Sequence, residues 1–233
     1  MSVNTRSQAA AAAAGAVGLV LILVGMIVGR YIPAPPAYWT ADELAGFYRA
    51  SPLRIQIGVL ILLVATVGWA SLMAVVSAQL GRIEGVRPVL RTLQTITGTA
   101  VYVLLTLFGV FLGAAAFRPQ RSAEITQALH DVGWFMAFLA APAFMGQAVA
   151  VALAVLSYQG DRPVYPRWLG YAGLWVALLL LPGMLLLCFH TGPFAYHGLI
   201  GYWLALFTFG GWMGALSLAA LLAARASTCS ARA

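Results

Sequence analysis

The 233-residue chain has too little polar surface for a soluble domain, because 62% of its residues are apolar and only 8% are charged. Its formal net charge of +7 includes 13 basic side chains, all of them arginine. The absence of lysine excludes retinal-type and aldolase-type chemistry, which need a lysine Schiff base. The chain also lacks the phosphate-binding loop of an ATPase. The composition predicts a polytopic membrane protein.

Six long apolar stretches predict an all-α membrane helix bundle that forms a single domain. About 20 apolar residues are needed to cross about 30 Å of hydrocarbon, and the connections here are too short for another domain. The stretches lack the alternation of barrel strands, so helices must satisfy the backbone in lipid. The predicted spans cover residues 9–28, 55–80, 93–117, 132–157, 169–189 and 198–224. The first exceeds a signal-peptide core of roughly 7–15 residues, so we interpret it as an anchor.

The arginines predict that both termini lie in the cytoplasm. With this orientation, eight arginines face inward: Arg6, Arg82, Arg87, Arg91, Arg162, Arg167, Arg225 and Arg232. Five face outward: Arg30, Arg49, Arg54, Arg118 and Arg121. This bias follows the positive-inside rule. The net positive charge therefore indicates topology and attraction to anionic lipid, and it predicts no nucleic-acid partner.

The first outer connection predicts a short interfacial helix between spans one and two. Residues 31–39 form a proline-rich segment with interfacial aromatic side chains. Thr40 and Glu43 then have the spacing of a capping box, which predicts a helix over residues 41–49. That helix places Leu44, Phe47 and Tyr48 on one face, so we expect it to lie on the membrane surface.

All three histidines lie in or beside the other two outer connections. Span four is expected to begin as a helix above the membrane, which leaves His130 and Asp131 near the headgroup boundary. Residues 190–197 form a tight turn with His190 at one end and His197 at the other. The three histidines can therefore converge at a similar depth.

Three interpretations of this group stay open. In the first, His130, Asp131 and His197 perform acid/base isomerisation or cyclisation of a lipid-like substrate, with Tyr196 or Tyr48 donating a hydrogen bond. In the second, the interfacial His, Tyr and Trp side chains only anchor helix ends. In the third, histidines ligate a haem in a redox subunit or surround a metal ion, although no metal-ligand motif is present.

Inside the membrane, prolines rather than charges stand out. No span carries a convincing buried charge, and Gln147 is expected to bond another helix or a polar ligand atom. Pro142 and Pro182 predict breaks in spans four and five that open a cavity toward the outer leaflet. Its expected lining is Trp134, Phe138, Met184, Phe189, Tyr202 and Trp203. The ligand-binding candidates are Trp134, Gln147, His190, Tyr196, Tyr202 and Trp203.

Small residues and cysteines predict how the helices pack and which redox chemistry is absent. The Gly-x-x-x-Gly pairs that begin at Gly25, Gly109 and Gly210 allow close helix approach or self-association. Cys188 and Cys229 lie on opposite sides of the membrane, which argues against disulfide exchange. Cys188 is expected to be a small core residue.

Three short segments carry a family resemblance: residues 163–171 (PVYPRWLGY), 191–195 (TGPFA) and 82–85 (RIEG). They resemble those of poorly characterised six-span inner-membrane proteins from GC-rich bacteria. The resemblance implies a multi-pass protein of the bacterial inner membrane and brings no assigned activity. The aromatic outer rim, the two proline kinks and the absence of a buried charge instead predict a protein that binds a sterol, isoprenoid, quinone or other lipid, or a subunit of a membrane complex. Its expected partners are membrane lipids, another membrane subunit or a second copy.

Overall fold

A computed structural model describes residues 3–160 and 163–230, and Asp161, Arg162 and Arg232 lie outside this part. The described chain contains no strand. Its α-helices are α1 (Val3–Val28), α2 (Ala41–Ala50), α3 (Pro52–Leu80), α4 (Pro88–Phe117), α5 (Ala123–Phe138), α6 (Ala141–Ser157), α7 (Arg167–Leu180) and α8 (Ala205–Ser230). A 3-10 helix, Leu181–Leu187, follows α7, and a π-helical segment, Leu199–Leu204, precedes α8.

The predicted six-span bundle is confirmed. Within the described residues, six helical segments are long and apolar enough to cross a membrane: Asn4–Val28, Pro52–Leu80, Pro88–Phe117, Ala123–Ser157, Arg167–Leu187 and Leu199–Ala226. Several begin before the apolar stretch does, because a proline suits the first turn of a helix. Helix α4, for example, begins at Pro88. These helices are compatible with an integral membrane protein, and we call the end that carries α2 the outer end.

Glycines bring α1 and α3 into backbone contact. A Cβ atom added to Gly68 would lie 2.6 Å from the Ala14 carbonyl oxygen, and one added to Gly25 would lie 2.9 Å from that of Gly58. The other two pairs pack against side chains of neighbouring helices. Gly109 of α4 contacts Leu63 of α3, and Gly210 of α8 contacts Leu19 of α1. All three glycine pairs therefore serve packing within the bundle, as small residues do in membrane helices.

The capping box and the short helix α2 are confirmed. The Thr40 hydroxyl accepts a hydrogen bond from the Glu43 amide at 3.3 Å, and the Glu43 carboxylate accepts one from the Thr40 amide at 2.8 Å. The bonds from the Thr40 amide and hydroxyl lower the pKa of the Glu43 carboxyl. Leu44 and Tyr48 are buried, because α2 packs its apolar face on α5.

Three spans contain a break in regular α-helix. Span four breaks between Phe138 and Ala141, and span five becomes a 3-10 helix that contains Pro182. These are the two breaks that the prolines predict. The third, the π-helical start of span six, was not predicted. In this segment the Trp203 amide donates to the Gly198 carbonyl five residues earlier, at 3.3 Å, and the Pro193 carbonyl accepts from the amides of both Ile200 and Gly201, at 2.8 and 3.0 Å.

The inner end is closed by buried hydrogen bonds. The Tyr165 hydroxyl donates to Gln79 Oε1 at 2.7 Å, and Gln79 Nε2 donates to the Ala220 carbonyl at 3.0 Å. These bonds join Tyr165, which precedes α7, to α3 and α8, with Gln79 fully buried.

Near the outer end, Cys188 is exposed, so the expectation that it packs in the core is wrong. It follows a 3-10 helix rather than ending a regular span.

Candidate functional site: a central cavity beneath an outer aromatic cluster

A cavity of about 130 Å³ lies in the bundle where the three broken spans meet. The break in span four contributes Ala140 and Ala141, and the 3-10 helix contributes Gly183. The π-helical segment and the start of α8 contribute Tyr202 and Ala205. The remaining wall consists mainly of aliphatic and aromatic side chains from α1 and from α3 to α8. The irregular backbone of this membrane protein is therefore concentrated around one apolar space.

The predicted cavity lining is partly reproduced. Trp134, Phe138 and Tyr202 line the cavity. Met184, Phe189 and Trp203 are not among its lining residues. Phe189 packs on Phe194 outside the bundle, with ring centroids 5.4 Å apart, and Trp203 stacks on Phe207 at 6.1 Å. The irregular turns of spans five and six rotate these side chains away from the positions that a continuous α-helix would give them.

His130 is a fully buried hydrogen-bond bridge. Trp134 Nε1 donates to His130 Nε2 at 3.0 Å, and His130 Nδ1 lies 2.8 Å from the Tyr48 hydroxyl. An indole N–H can only donate, so His130 Nε2 is the acceptor. In a neutral imidazole the hydrogen is then on Nδ1, which donates to Tyr48. The imidazole thus has no free lone pair.

Two connections join the cavity wall to the outer segment. Through His130, Trp134 is linked to Tyr48 of α2, whose hydroxyl lies 3.4 Å from that of Tyr31. The Tyr202 hydroxyl donates directly to the Tyr31 carbonyl. Tyr31 is fully buried, and burial raises the pKa values of its phenol and that of Tyr48. Both phenols therefore stay protonated and act as hydrogen-bonding groups.

Tyr196 lies at the centre of the three predicted catalytic residues. Its hydroxyl donates to Asp131 Oδ1 at 3.3 Å. The rings of His130 and His197 lie 5.9 and 6.2 Å from the Tyr196 ring. Burial, and then the charge of Asp131, raise the pKa of the Tyr196 phenol, which therefore remains a donor. His190 is exposed at the edge of this group.

The hydrogen bonds restrict what this group can do as an acid or base. The Ala37 amide donates to His197 Nδ1 at 3.0 Å, and burial lowers the pKa of the imidazole. The neutral ring thus holds its hydrogen on Nε2 and has no lone pair free. Asp131 bonds Tyr196 rather than a histidine, so it does not orient an imidazole. Acid/base catalysis by His130, Asp131 and His197 stays a prediction, and either histidine would have to lose a hydrogen bond to act as a base.

Gln147 forms a hydrogen bond to another helix, which is one of the two roles predicted for it. Its Oε1 accepts from Trp212 Nε1 of α8 at 2.9 Å. The amide is fully buried, and its Nε2 has no hydrogen-bond partner. Gln147 does not line the cavity, and neither do Tyr196, His190 and Trp203. Of the ligand-binding candidates, the cavity thus brings together Trp134 and Tyr202.

The described residues contain no group of three or more His, Cys, Asp or Glu side chains that could hold a metal ion. No histidine lines the cavity, and the bonds of His130 and His197 occupy their lone pairs. The donor set of the described chain therefore does not fit a haem or metal site at this cavity.

Several aromatic residues of this region were missed by sequence reasoning. Phe108 and Phe144 line the cavity, and Trp69 stacks on Phe144 at 5.4 Å. The spacing of His130 and Trp134 was a usable signal for their hydrogen bond, because residues four apart are neighbours on one helix face.

Comparison of the chain with protein-family models, curated proteins and solved structures found no match.

Proposed function

We propose that this protein is a multi-pass protein of the bacterial inner membrane that binds a lipid-like ligand in the central cavity. The observation that carries the proposal is the meeting of three broken spans around one apolar space. Irregular backbone is tolerated at membrane depth where it is buried or lines a cavity. Broken helices also form the binding sites of many transporters.

The inner end of the bundle is held together by buried hydrogen bonds, whereas the cavity extends toward the outer end, which supports a binding site in the outer half of the bundle. At the inner end, Gln79 and Tyr165 join the 158–166 connection to the spans through buried hydrogen bonds. The cavity wall includes Met26, one helical turn before Arg30. It also shares Trp134 and Tyr202 with the outer aromatic cluster, whose other members include Tyr31, Tyr48 and Tyr196. Placement in the inner membrane is favoured by the inward arginine bias and by the family resemblance.

The proposal is tested by filling the cavity. Ala141→Leu adds three carbons at a buried wall position, and Ala74→Leu makes the same change at an exposed position on α3. We expect one lipid to copurify in enriched amount with the native protein and the Ala74→Leu variant. Lipid mass spectrometry should show about tenfold less of it with Ala141→Leu, equivalent to about 1.4 kcal/mol of lost binding.

Two results would overturn the proposal. The first is a lipid content that matches the bulk membrane in every sample. The second is equal enrichment in both leucine variants, which would place the lipid on the outer surface of the bundle. A stoichiometric copurifying protein without an enriched lipid would instead favour the role of a subunit in a membrane complex.

A further inference from the structure

The cavity has aromatic walls at both ends. Toward the outer end, Trp134 is stacked between Tyr196 and Phe138, at centroid distances of 5.6 and 5.7 Å. Toward the inner end, Phe144 and Phe209 both stack on Trp69, at 5.4 Å each. The aromatic carbons that these side chains present to the cavity offer dispersion contacts and no strong hydrogen bond to an occupant.

The polar side chains of the wall are turned away from the space. Trp134 Nε1 donates to His130, and the Tyr202 hydroxyl donates to the Tyr31 carbonyl. The Thr66 hydroxyl donates to the Leu63 carbonyl of its own helix at 2.7 Å. Each side-chain hydrogen that could have bonded an occupant is thus committed to a protein acceptor. A polar group inside the cavity would lose its water without gaining one of these donors.

The size of the space limits how much of a ligand it can enclose. Its volume is about 130 Å³. Apolar cavities of roughly 150 Å³ stay dry and hold a molecule of the size of benzene. The cavity therefore holds a five- or six-carbon unit rather than a whole lipid.

We infer that the occupant is the hydrocarbon end of a lipid, such as one isoprenoid unit, inserted without its polar head. This inference rests on the proposed function and narrows the expected ligands. The quinone ring, the hydroxyl end of a sterol and a lipid headgroup all carry polar atoms that would find no free side-chain donor in this wall. A lipid that carries such a group binds with that group outside the cavity.

The inference can be tested with a short photoreactive hydrocarbon that carries a diazirine. The native protein is irradiated with this probe in detergent, and labelled peptides are mapped by mass spectrometry. Labelling at the lining residues Thr66, Phe144 and Phe209 is compared with labelling at the exposed Leu60 and Val64 of α3. Two competitors of matched size are titrated: 2-methyl-2-butene, which is a pure hydrocarbon, and prenol, which has the same five-carbon skeleton with a hydroxyl group.

We expect 2-methyl-2-butene to abolish labelling of the lining, and prenol to compete up to roughly 100-fold less well. Ala141→Leu should lose this labelling, and Ala74→Leu should keep it. Equal competition by prenol would overturn the hydrocarbon assignment and leave binding in the cavity intact. Labelling that is confined to Leu60, Val64 and other exposed positions would overturn both the inference and the proposed function.

Discussion

His130 shows how one side chain can hold several parts of a membrane protein in register. It lies on α5, accepts from Trp134 of the same helix and contacts Tyr48 of α2. Because the indole can only donate, the identity of one neighbour decides which imidazole nitrogen carries the hydrogen. The cavity wall and the outer helix are thereby joined through one ring.

The assignment predicts that His130 is the neutral tautomer with hydrogen on Nδ1. In protein labelled with ¹⁵N-histidine, the Nδ1 resonance of His130 should be of the protonated type and the Nε2 resonance of the unprotonated type. His130→Phe should remove both resonances, which provides the assignment control. A hydrogen found on Nε2 would contradict the bond from Trp134.

His197 predicts a pH-dependent contact at the outer end. Burial lowers the pKa of its imidazole, so the folded state binds fewer protons than the unfolded chain. The contact with the Ala37 amide is therefore complete above the usual histidine pKa of about 6.5 and weakens as the pH falls below it. Hydrogen exchange around Ala37, corrected for intrinsic rates, should show protection at pH 7.5 that is reduced at pH 5.5. His197→Gln keeps an acceptor that does not titrate, so its protection should not depend on pH; the same dependence in that variant would assign the effect elsewhere.

Among the elements, α2 is the one most clearly specified by local sequence. Thr40 and Glu43 satisfy amides at its start, and its apolar side chains recur on the face that meets α5. The cap involves residues three apart and the apolar face follows the helical period, so both can be predicted from the local sequence without knowledge of the tertiary contacts. The π-helical segment is the opposite case, because the amides of Ile200 and Gly201 at its start donate to the Pro193 carbonyl in the preceding turn, which a pattern within the segment does not predict.

Thr40→Ala should destabilise α2 by about 1 kcal/mol, because the hydroxyl that accepts from the Glu43 amide is lost. The measurement is hydrogen exchange in residues 41–50, which should become faster while the six spans are unchanged. Thr40→Ser retains a hydroxyl acceptor and is the matched control. Equal exchange in the alanine and serine variants would show that packing on α5 alone holds the helix.

Gly68→Ala should destabilise the packing of α1 on α3 by about 1–3 kcal/mol. The added Cβ would lie 2.6 Å from the Ala14 carbonyl oxygen, so the two helices must move apart. Gly211→Ala on α8 is the control, since no heavy atom lies within 4 Å of its added Cβ. Thermal unfolding in detergent should separate the two variants, and equal melting temperatures would contradict the close contact.

At the scale of the whole molecule, the outer and inner ends are built differently. The outer end contains a buried aromatic cluster to which the segment after α1, α2, α5 and the turn before span six contribute, whereas at the inner end Gln79 bonds Tyr165 and the Ala220 carbonyl. Contacts such as Gln127 to the Trp39 carbonyl, at 3.1 Å, join the outer connections to one another. The central cavity shares Trp134 and Tyr202 with this outer cluster.

The predicted orientation can be tested with single cysteines in a variant that lacks Cys188 and Cys229. Gly46→Cys lies on an exposed position of α2, and Glu84→Cys lies on an exposed inner turn. With cytoplasmic termini, a membrane-impermeant maleimide should label intact cells at position 46, and position 84 only after the membrane is opened. The reverse pattern would mean that the termini lie outside.

The spans, the two proline breaks and the capped outer helix were determined by the sequence itself, because each follows from hydrophobic length, proline geometry or spacing within one turn. The tertiary structure decided what lies around the cavity. It brought Phe108, Phe144 and Phe209 to the wall, turned Trp203 and Phe189 away, and bound His130 to Trp134 and Tyr48. These outcomes depend on how six helices rotate and pack against one another. In lipid every face of such a helix is apolar, so the hydrophobic pattern does not specify that rotation.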